Sequence, residues 1–161
     1  MNPYATHREV LLAALWHTGV SRGAVLECGA GDFSTPLLHE VCAAQGRKLV
    51  TLETDPLWLL RFSSLASPDH ELALVADWAA PRPGPWDVAF VDCDPPAARG
   101  ALMDVLVRSS RYVVAHDTEP ASVTMNNYRL ERFKYRRDFI RLLPNTSVVS
   151  DTTPIWPESV R

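Results

Sequence analysis

The chain has 161 residues, 47% of them hydrophobic, and a formal net charge of −3. That length and apolar content fit one globular domain with its own core, and the mild acidity excludes bulk attraction to nucleic acid or anionic lipid. The three cysteines, Cys28, Cys42 and Cys93, are odd in number and lack C-x-x-C spacing, so neither a disulfide framework nor a structural zinc site is expected, and a reducing, cytoplasmic setting fits best.

Val10, Leu11, Ala14 and Leu15 recur at helical spacing, and Gly19 and Gly23 end that first helix. His17 and Arg22 interrupt it far short of membrane-spanning length, so neither secretion nor insertion is expected. Short β-rich runs follow at 24–28, 49–53, 72–75, 88–92 and 112–116, separated by stretches of helical period. These runs are apolar almost continuously, as expected where helices cover both faces of a parallel, doubly wound sheet. Ser34, Thr35 and Pro36 form a helix start, Pro56 and Pro95 open later helices, and the Pro-rich stretch 81–85 replaces one helix by a loop.

After the fifth run, helical period predicts a long helix over about 123–143. The β-branched residues around Asp151–Thr153, within a tail running from Ser147 to Trp156, predict a closing antiparallel hairpin on a sheet edge. The Arg, Lys and aromatic side chains of the long helix would spread around several faces, which fits a solvated helix better than a nucleic-acid grip.

In open α/β sheets ligands sit outside the carboxyl ends of the strands, and each run here ends on polar residues. The first ends as Glu27, Cys28, Gly29, Ala30, Gly31, Asp32, Phe33, Ser34, a glycine turn that lets backbone approach a ligand. The second ends at Glu53, 22 residues after Gly31, the spacing at which a carboxylate can accept ribose hydroxyls. Asp77 and Trp78 follow the third, Asp92 and Asp94 the fourth, and His116 and Asp117 the fifth. A pyrophosphate at the turn would be repelled by Glu27 and Asp32, and Ser34 stands where a third glycine is usual, so a dinucleotide is disfavoured. A nucleoside carrying an amino group and a sulfonium cation would instead be attracted.

These residues resemble the class I S-adenosylmethionine-dependent methyltransferases. The run Val25, Leu26, Glu27, Cys28, Gly29, Ala30, Gly31, Asp32 is similar to their first motif, and Leu52, Glu53, Thr54, Asp55, Pro56 to their ribose-binding motif. Ala76 to Trp78 is similar to the adenine-contacting segment, and Trp86 to Asp92 to their fourth strand. The resemblance spans roughly residues 20–120. It implies a Rossmann-like core over residues 21–161, covered by an N-terminal helix over 1–20. It also implies S-adenosylmethionine as cofactor, held by Glu27, Gly29, Ala30, Gly31, Ser34, Glu53, Thr54, Asp77, Trp78 and Asp92.

Within that family the pattern is closest to small-molecule O-methyltransferases, which implies a small hydroxyl-bearing acceptor and a metal site. Asp92, Asp94 and Asp117 would hold Mg²⁺, a cation that prefers oxygen ligands. Without metal, His116 would be the general base beside Asp92 and Asp117. The bland readings stand beside these: Asp77 as a turn cap, Trp78 as a core aromatic, His116 as a buried strand-end residue. A lyase or hydrolase acting on S-adenosylmethionine, and a nucleoside-binding module without catalysis, are the competing functions. Little sequence remains for a lid, so a second subunit in a homodimer is a further expectation.

Overall fold

The computed structural model describes residues 2–157, apart from the side chain of Pro3. Twelve elements follow a short 3₁₀ turn at Pro3–Ala5: α1 (Arg8–His17), β1 (Val25–Cys28), α2 (Thr35–Gln45), β2 (Leu49–Glu53), α3 (Pro56–Leu60), β3 (His70–Leu74), β4 (Trp86–Val91), α4 (Arg99–Leu106), β5 (Ser110–His116), α5 (Pro120–Met125), β6 (Tyr135–Phe139) and β7 (Thr146–Ser150). They build one seven-stranded sheet in the order β3-β2-β1-β4-β5-β7-β6. The first five strands are parallel, and β7 runs antiparallel between β5 and β6.

Side chains alternate across the sheet, so each strand feeds two cores. Leu26, Ala89, Val91, Val113 and Ala115 pack on the side covered by α4. Val25, Val88, Phe90, Tyr112 and Val114 pack on the other side against Val10, Leu11 and Leu15 of α1 and Leu37, Leu38 and Cys42 of α2. Burial on both faces is why β1 and β2 are buried at every position. All three cysteines are free and buried. No helix among the described residues is long and apolar enough to cross a membrane.

Local chemistry fixes the helix ends. Asp55 caps α3 by accepting from the Leu57 and Trp58 amides, with Pro56 in the first turn. Gly46, at φ +64°, closes α2 through Gly46 N–H to Ala43 O and Arg47 N–H to Cys42 O. At the strand starts, remote from the crevice, fully buried Arg47 pairs with Asp87 at 3.1 Å and donates to Gly23 O at 2.7 Å. It thereby ties the end of α2 to the starts of β1 and β4.

Two expectations change. The helix over 123–143 is absent: α5 stops at Met125, Asn127 takes a left-handed φ of +53°, a 3₁₀ turn spans Leu130–Arg132, and β6 follows. Asn tolerates that conformation better than other side chains do. The expected hairpin exists but sits earlier, with β6 and β7 paired from Tyr135↔Ser150 to Phe139↔Thr146, and Asp151–Thr153 lie beyond it. In β6, Tyr135, Arg137 and Phe139 are half-buried while Arg136 and Asp138 are exposed, a period-two edge strand whose charges blunt its free side.

Candidate functional site

Sheet order reverses between β1 and β4, and the crevice outside their carboxyl ends is the expected ligand position. There, Gly29 adopts φ +96°, and a Cβ on it would lie 2.5 Å from Asp92 O and 2.6 Å from the Cys93 Cα. Only glycine permits that conformation and that approach together. The turn's next amide, Ala30 N–H, donates to Glu53 Oε2 at 3.0 Å, while Glu53 Oε1 accepts from the amides of Thr54 (2.6 Å) and Asp55 (3.1 Å). The Thr54 hydroxyl reaches the same oxygen at 3.3 Å. The acid ending β2 and the glycine turn after β1 therefore meet.

Glu27 lies fully buried beneath the turn. Its Oε2 accepts from the hydroxyls of Thr35 (2.9 Å) and Thr51 (2.8 Å), and Thr35 Oγ1 in turn accepts from Gly31 N–H at 2.9 Å. Oε1 has no hydrogen-bond partner among the described residues. Burial pushes the Glu27 carboxyl up to about 7 against those hydroxyl donors. Ser34 is buried at the start of α2 without a side-chain cap bond, and its Oγ would lie 2.9 Å from a Cβ on Gly31.

The ends of β4 and β5 meet in a four-membered charge cluster. Buried Arg99, at the start of α4, places one guanidinium nitrogen 3.0 Å from Asp92 Oδ1 and another 2.8 Å from Asp117 Oδ2, and its Nε donates to Cys93 O at 2.6 Å. His116 Nδ1 lies 3.2 Å from Asp92 Oδ2 and 3.5 Å from Asp117 Oδ1. Its Nε2 lies 2.9 Å from Thr6 Oγ1, whose own proton goes to Pro144 O at 2.8 Å.

Thr6 therefore accepts from His116 Nε2–H, while Nδ1 faces carboxylates, an arrangement that suits the doubly protonated imidazolium. Burial opposes that charge, but the hydrogen bond and charge of Asp92, with Asp117, outweigh it and raise the His116 pKa. Burial likewise opposes the Arg99 charge and is outweighed by Asp92, Tyr128 and Asp117, which raise it further. Asp117 sits at φ +55°, held by Asn126 Nδ2 donating to its carbonyl at 2.9 Å, while Tyr128 O–H holds the carbonyl of His116 at the same distance.

This cluster corrects the expected Mg²⁺ site. Arg99 stands between Asp92 and Asp117 where the cation was expected, and Asp94 is exposed. Among the described residues, Asp92, Asp94 and Asp117 do not bring three carboxylate oxygens within 4.8 Å of one another. A buried guanidinium supplies the positive charge instead.

A cavity of about 630 Å³ opens over these groups, lined by Gly31, Asp32 and Ser34 on one side and by Asp92, Arg99, His116 and Asp117 on the other. The N-terminal segment covers it through Tyr4 and His7, and α3 through Trp58. Trp58 Nε1 donates to Ala30 O at 2.6 Å, and Arg61 lies over its ring at 4.0 Å while pairing with Asp32 at 2.9 Å. Asp77 is exposed and its Oδ1 accepts from Ala79 N–H at 2.9 Å, a turn cap. Trp78 is buried in the core and donates to Asp94 O at 2.7 Å. Of the residues expected to hold a cofactor, Gly31, Ser34 and Asp92 line this cavity, while Glu27, Gly29, Ala30, Glu53, Thr54, Asp77 and Trp78 do not. Sequence reasoning missed His7, Trp58 and Arg99. A helix start seven residues beyond Asp92 was the one available pointer to Arg99.

No protein-family model matches the chain, and no curated protein matches it in sequence. Solved structures do match. A Klebsiella pneumoniae protein named as a candidate O-methyltransferase superposes with TM-score 0.65 at 16% identity, over 91% of this chain and 81% of its own. Cofactor-bound Rv0187 from MTB gives 0.64 at 16% over the same shares. Human methyltransferase 10 domain containing protein gives 0.61 at 14%, over 95% of this chain and 85% of its own. With its glycine turn and acidic strand ends on a β3-β2-β1-β4-β5-β7-β6 sheet, the chain has the fold of the class I S-adenosylmethionine-dependent methyltransferases.

Proposed function

We propose that the protein is an S-adenosylmethionine-dependent methyltransferase that methylates a hydroxyl of a small molecule. One observation carries this reading: the hydrogen bond from Ala30 N–H to Glu53 Oε2, which joins the ribose acid to the glycine turn. The neighbouring cavity lies within the roughly 300–1,000 Å³ usual for cofactor and small-molecule sites.

The residues fit the cofactor. Side-chain-free backbone at Gly29 and Gly31 would lie against its methionine end, over Glu27. Three amide donors leave Glu53 with the 3.3 Å Thr54 hydroxyl contact to exchange for a ribose hydroxyl. Thr54, whose hydroxyl shares Glu53 Oε1, would border the nucleoside. When bound, S-adenosylmethionine supplies a methyl group already activated by its positive sulfur.

The chain's own task is to align an acceptor oxygen and take its proton. Asp117, whose side chain is 27% exposed beside the cavity, is the group we assign to accept from the acceptor hydroxyl. His116 has both ring nitrogens engaged, by Thr6 and by Asp92, and is a positioning residue for Asp92 rather than the base. A second reading, a cofactor-binding module without catalysis, draws on the pairing of both Asp92 and Asp117 with Arg99.

Calorimetry with S-adenosylmethionine and NAD, repeated on Glu53→Ala, tests the pocket. S-adenosylmethionine binds better and Glu53→Ala weakens it at least about tenfold, one charge-assisted hydrogen bond. Tighter NAD binding or a neutral Glu53→Ala refutes the assignment. Product analysis then separates the functions: S-adenosylhomocysteine for methyl transfer, methylthioadenosine for cleavage, and neither for a binding module.

A further inference from the structure

His7 joins the N-terminal 3₁₀ turn to α1 and is 2% exposed, yet neither of its ring nitrogens has a hydrogen-bond partner. Each orphaned buried polar atom costs about 1–3 kcal/mol, and packing alone does not require it: the ring lies 5.0 Å from that of Phe90, a contact a phenylalanine would make as well.

The ring meets His116 edge-on at 4.8 Å, and one ligand atom from each of His7, Asp92 and His116 lies within 4.8 Å of the others. Thr6 accepts from His116 Nε2–H and passes its own proton to Pro144 O, so Nδ1 is the nitrogen that would coordinate, once the ion displaces the proton it otherwise shares with Asp92 Oδ2. Arg99 holds Asp92 Oδ1, which leaves Oδ2 toward the His116 imidazole.

We propose that His7, Asp92 and His116 bind a divalent transition-metal ion through two imidazole nitrogens and one carboxylate oxygen, at the wall of the crevice. The donor set selects the ion: imidazole suits zinc, iron, cobalt or nickel, whereas Mg²⁺ seeks oxygen and water. The site differs from the all-carboxylate arrangement in ligands and in metal class. It also stands whether or not S-adenosylmethionine binds, since no ligand atom comes from the glycine turn or Glu53.

The test uses tag-free, chelator-washed protein without S-adenosylmethionine, titrated with Co²⁺ and followed by its visible absorption, with Zn²⁺ and Mg²⁺ calorimetry in parallel. Co²⁺ and Zn²⁺ bind at one equivalent and Mg²⁺ does not. His7→Phe keeps the contact with Phe90 and removes both nitrogens, so it folds, raises the melting temperature of the metal-free protein and weakens Co²⁺ at least about tenfold. Thr6→Val, which unties the His116 ring, weakens Co²⁺ by about 10- to 100-fold. Failure of wild type to take up one Co²⁺, or equal Co²⁺ affinity in wild type and His7→Phe, overturns the proposal.

Discussion

Replacing Arg99 by methionine separates the guanidinium-bridged site from a metal-bridged one. The side chain is 8% exposed, and the substitution removes both ion pairs and the hydrogen bond to Cys93 O while conserving much of the volume. Breaking a buried pair by deleting one partner costs about 3–5 kcal/mol. Asp92 and Asp117 are 24% and 27% exposed, so water offsets part of this, and the orphaned Cys93 carbonyl adds about 1 kcal/mol or more. A net loss of about 3–5 kcal/mol lowers the melting temperature of a chain of this size by roughly 6–20 °C.

The two freed carboxylates then present hard oxygen ligands that wild type lacks. Mg²⁺ at 100 times its dissociation constant would return about 2.7 kcal/mol to the variant. Scanning calorimetry of wild type and Arg99→Met, each with and without Mg²⁺, reads both effects. Two results refute the reasoning: a variant within about 1 kcal/mol of wild type, or wild type stabilised by Mg²⁺ as strongly as the variant.

The remaining predictions concern the turn, the buried acid and the far end of the sheet. Gly29→Ala combines a φ of +96° with a Cβ 2.5 Å from backbone; it loses about 1–3 kcal/mol to strain alone and abolishes S-adenosylmethionine binding, read by denaturation and calorimetry. Glu27 is raised from 4.5 to about 7 in the folded protein, so the folded state binds the extra proton between those values and stability falls as pH rises through the window, by an order of 3 kcal/mol in all. Buried His7 and His70, each lowered to about 4, act with the opposite sign between pH 4 and 6.5. The comparison that isolates Glu27 is therefore wild type against Glu27→Gln: the variant gains relative stability from pH 5 to pH 8, and a constant difference contradicts the assignment. Arg47→Met takes the cation from Asp87, which keeps its Ser21 and Gly23 donors, and costs about 3 kcal/mol in urea unfolding, while the folded fraction keeps its S-adenosylmethionine affinity because the pair lies at the strand starts.

The five parallel strands were legible because burial on both faces leaves an almost unbroken apolar run. Periodicity alone placed their starts two residues late at β3, β4 and β5, where His70 and Glu71, Asp87, and Ser110 and Arg111 interrupt the apolar signature, although the resemblance took β4 from Trp86. Asp87, for example, serves Arg47 rather than the core. β6 was hidden because five residues with three charges carry a weak alternation, easily taken for helical period. The strand-end acids could be found, since each follows such a run, and so could the meeting of Glu53 with the glycine turn. Arg99 and His7 could not be placed, because their significance lies in partners that only folding brings near: Asp117 for the first, His116 and Asp92 for the second.

The pairing of the strand-end acids bears on catalysis as well as on stability. Methyl transfer from a sulfonium to a neutral oxygen disperses a positive charge, so bare carboxylates beside the sulfur would hold the reactant more tightly than the transition state and slow the step. Arg99 bridges Asp92 and Asp117, and His116 Nδ1 faces both carboxylates, leaving oriented oxygen acceptors with a reduced local negative potential. A site built this way retains the directional hydrogen bond that positions an acceptor hydroxyl while avoiding the electrostatic trap. The neutralised cluster is thus compatible with turnover as well as with passive binding, and product analysis is the measurement that separates the two.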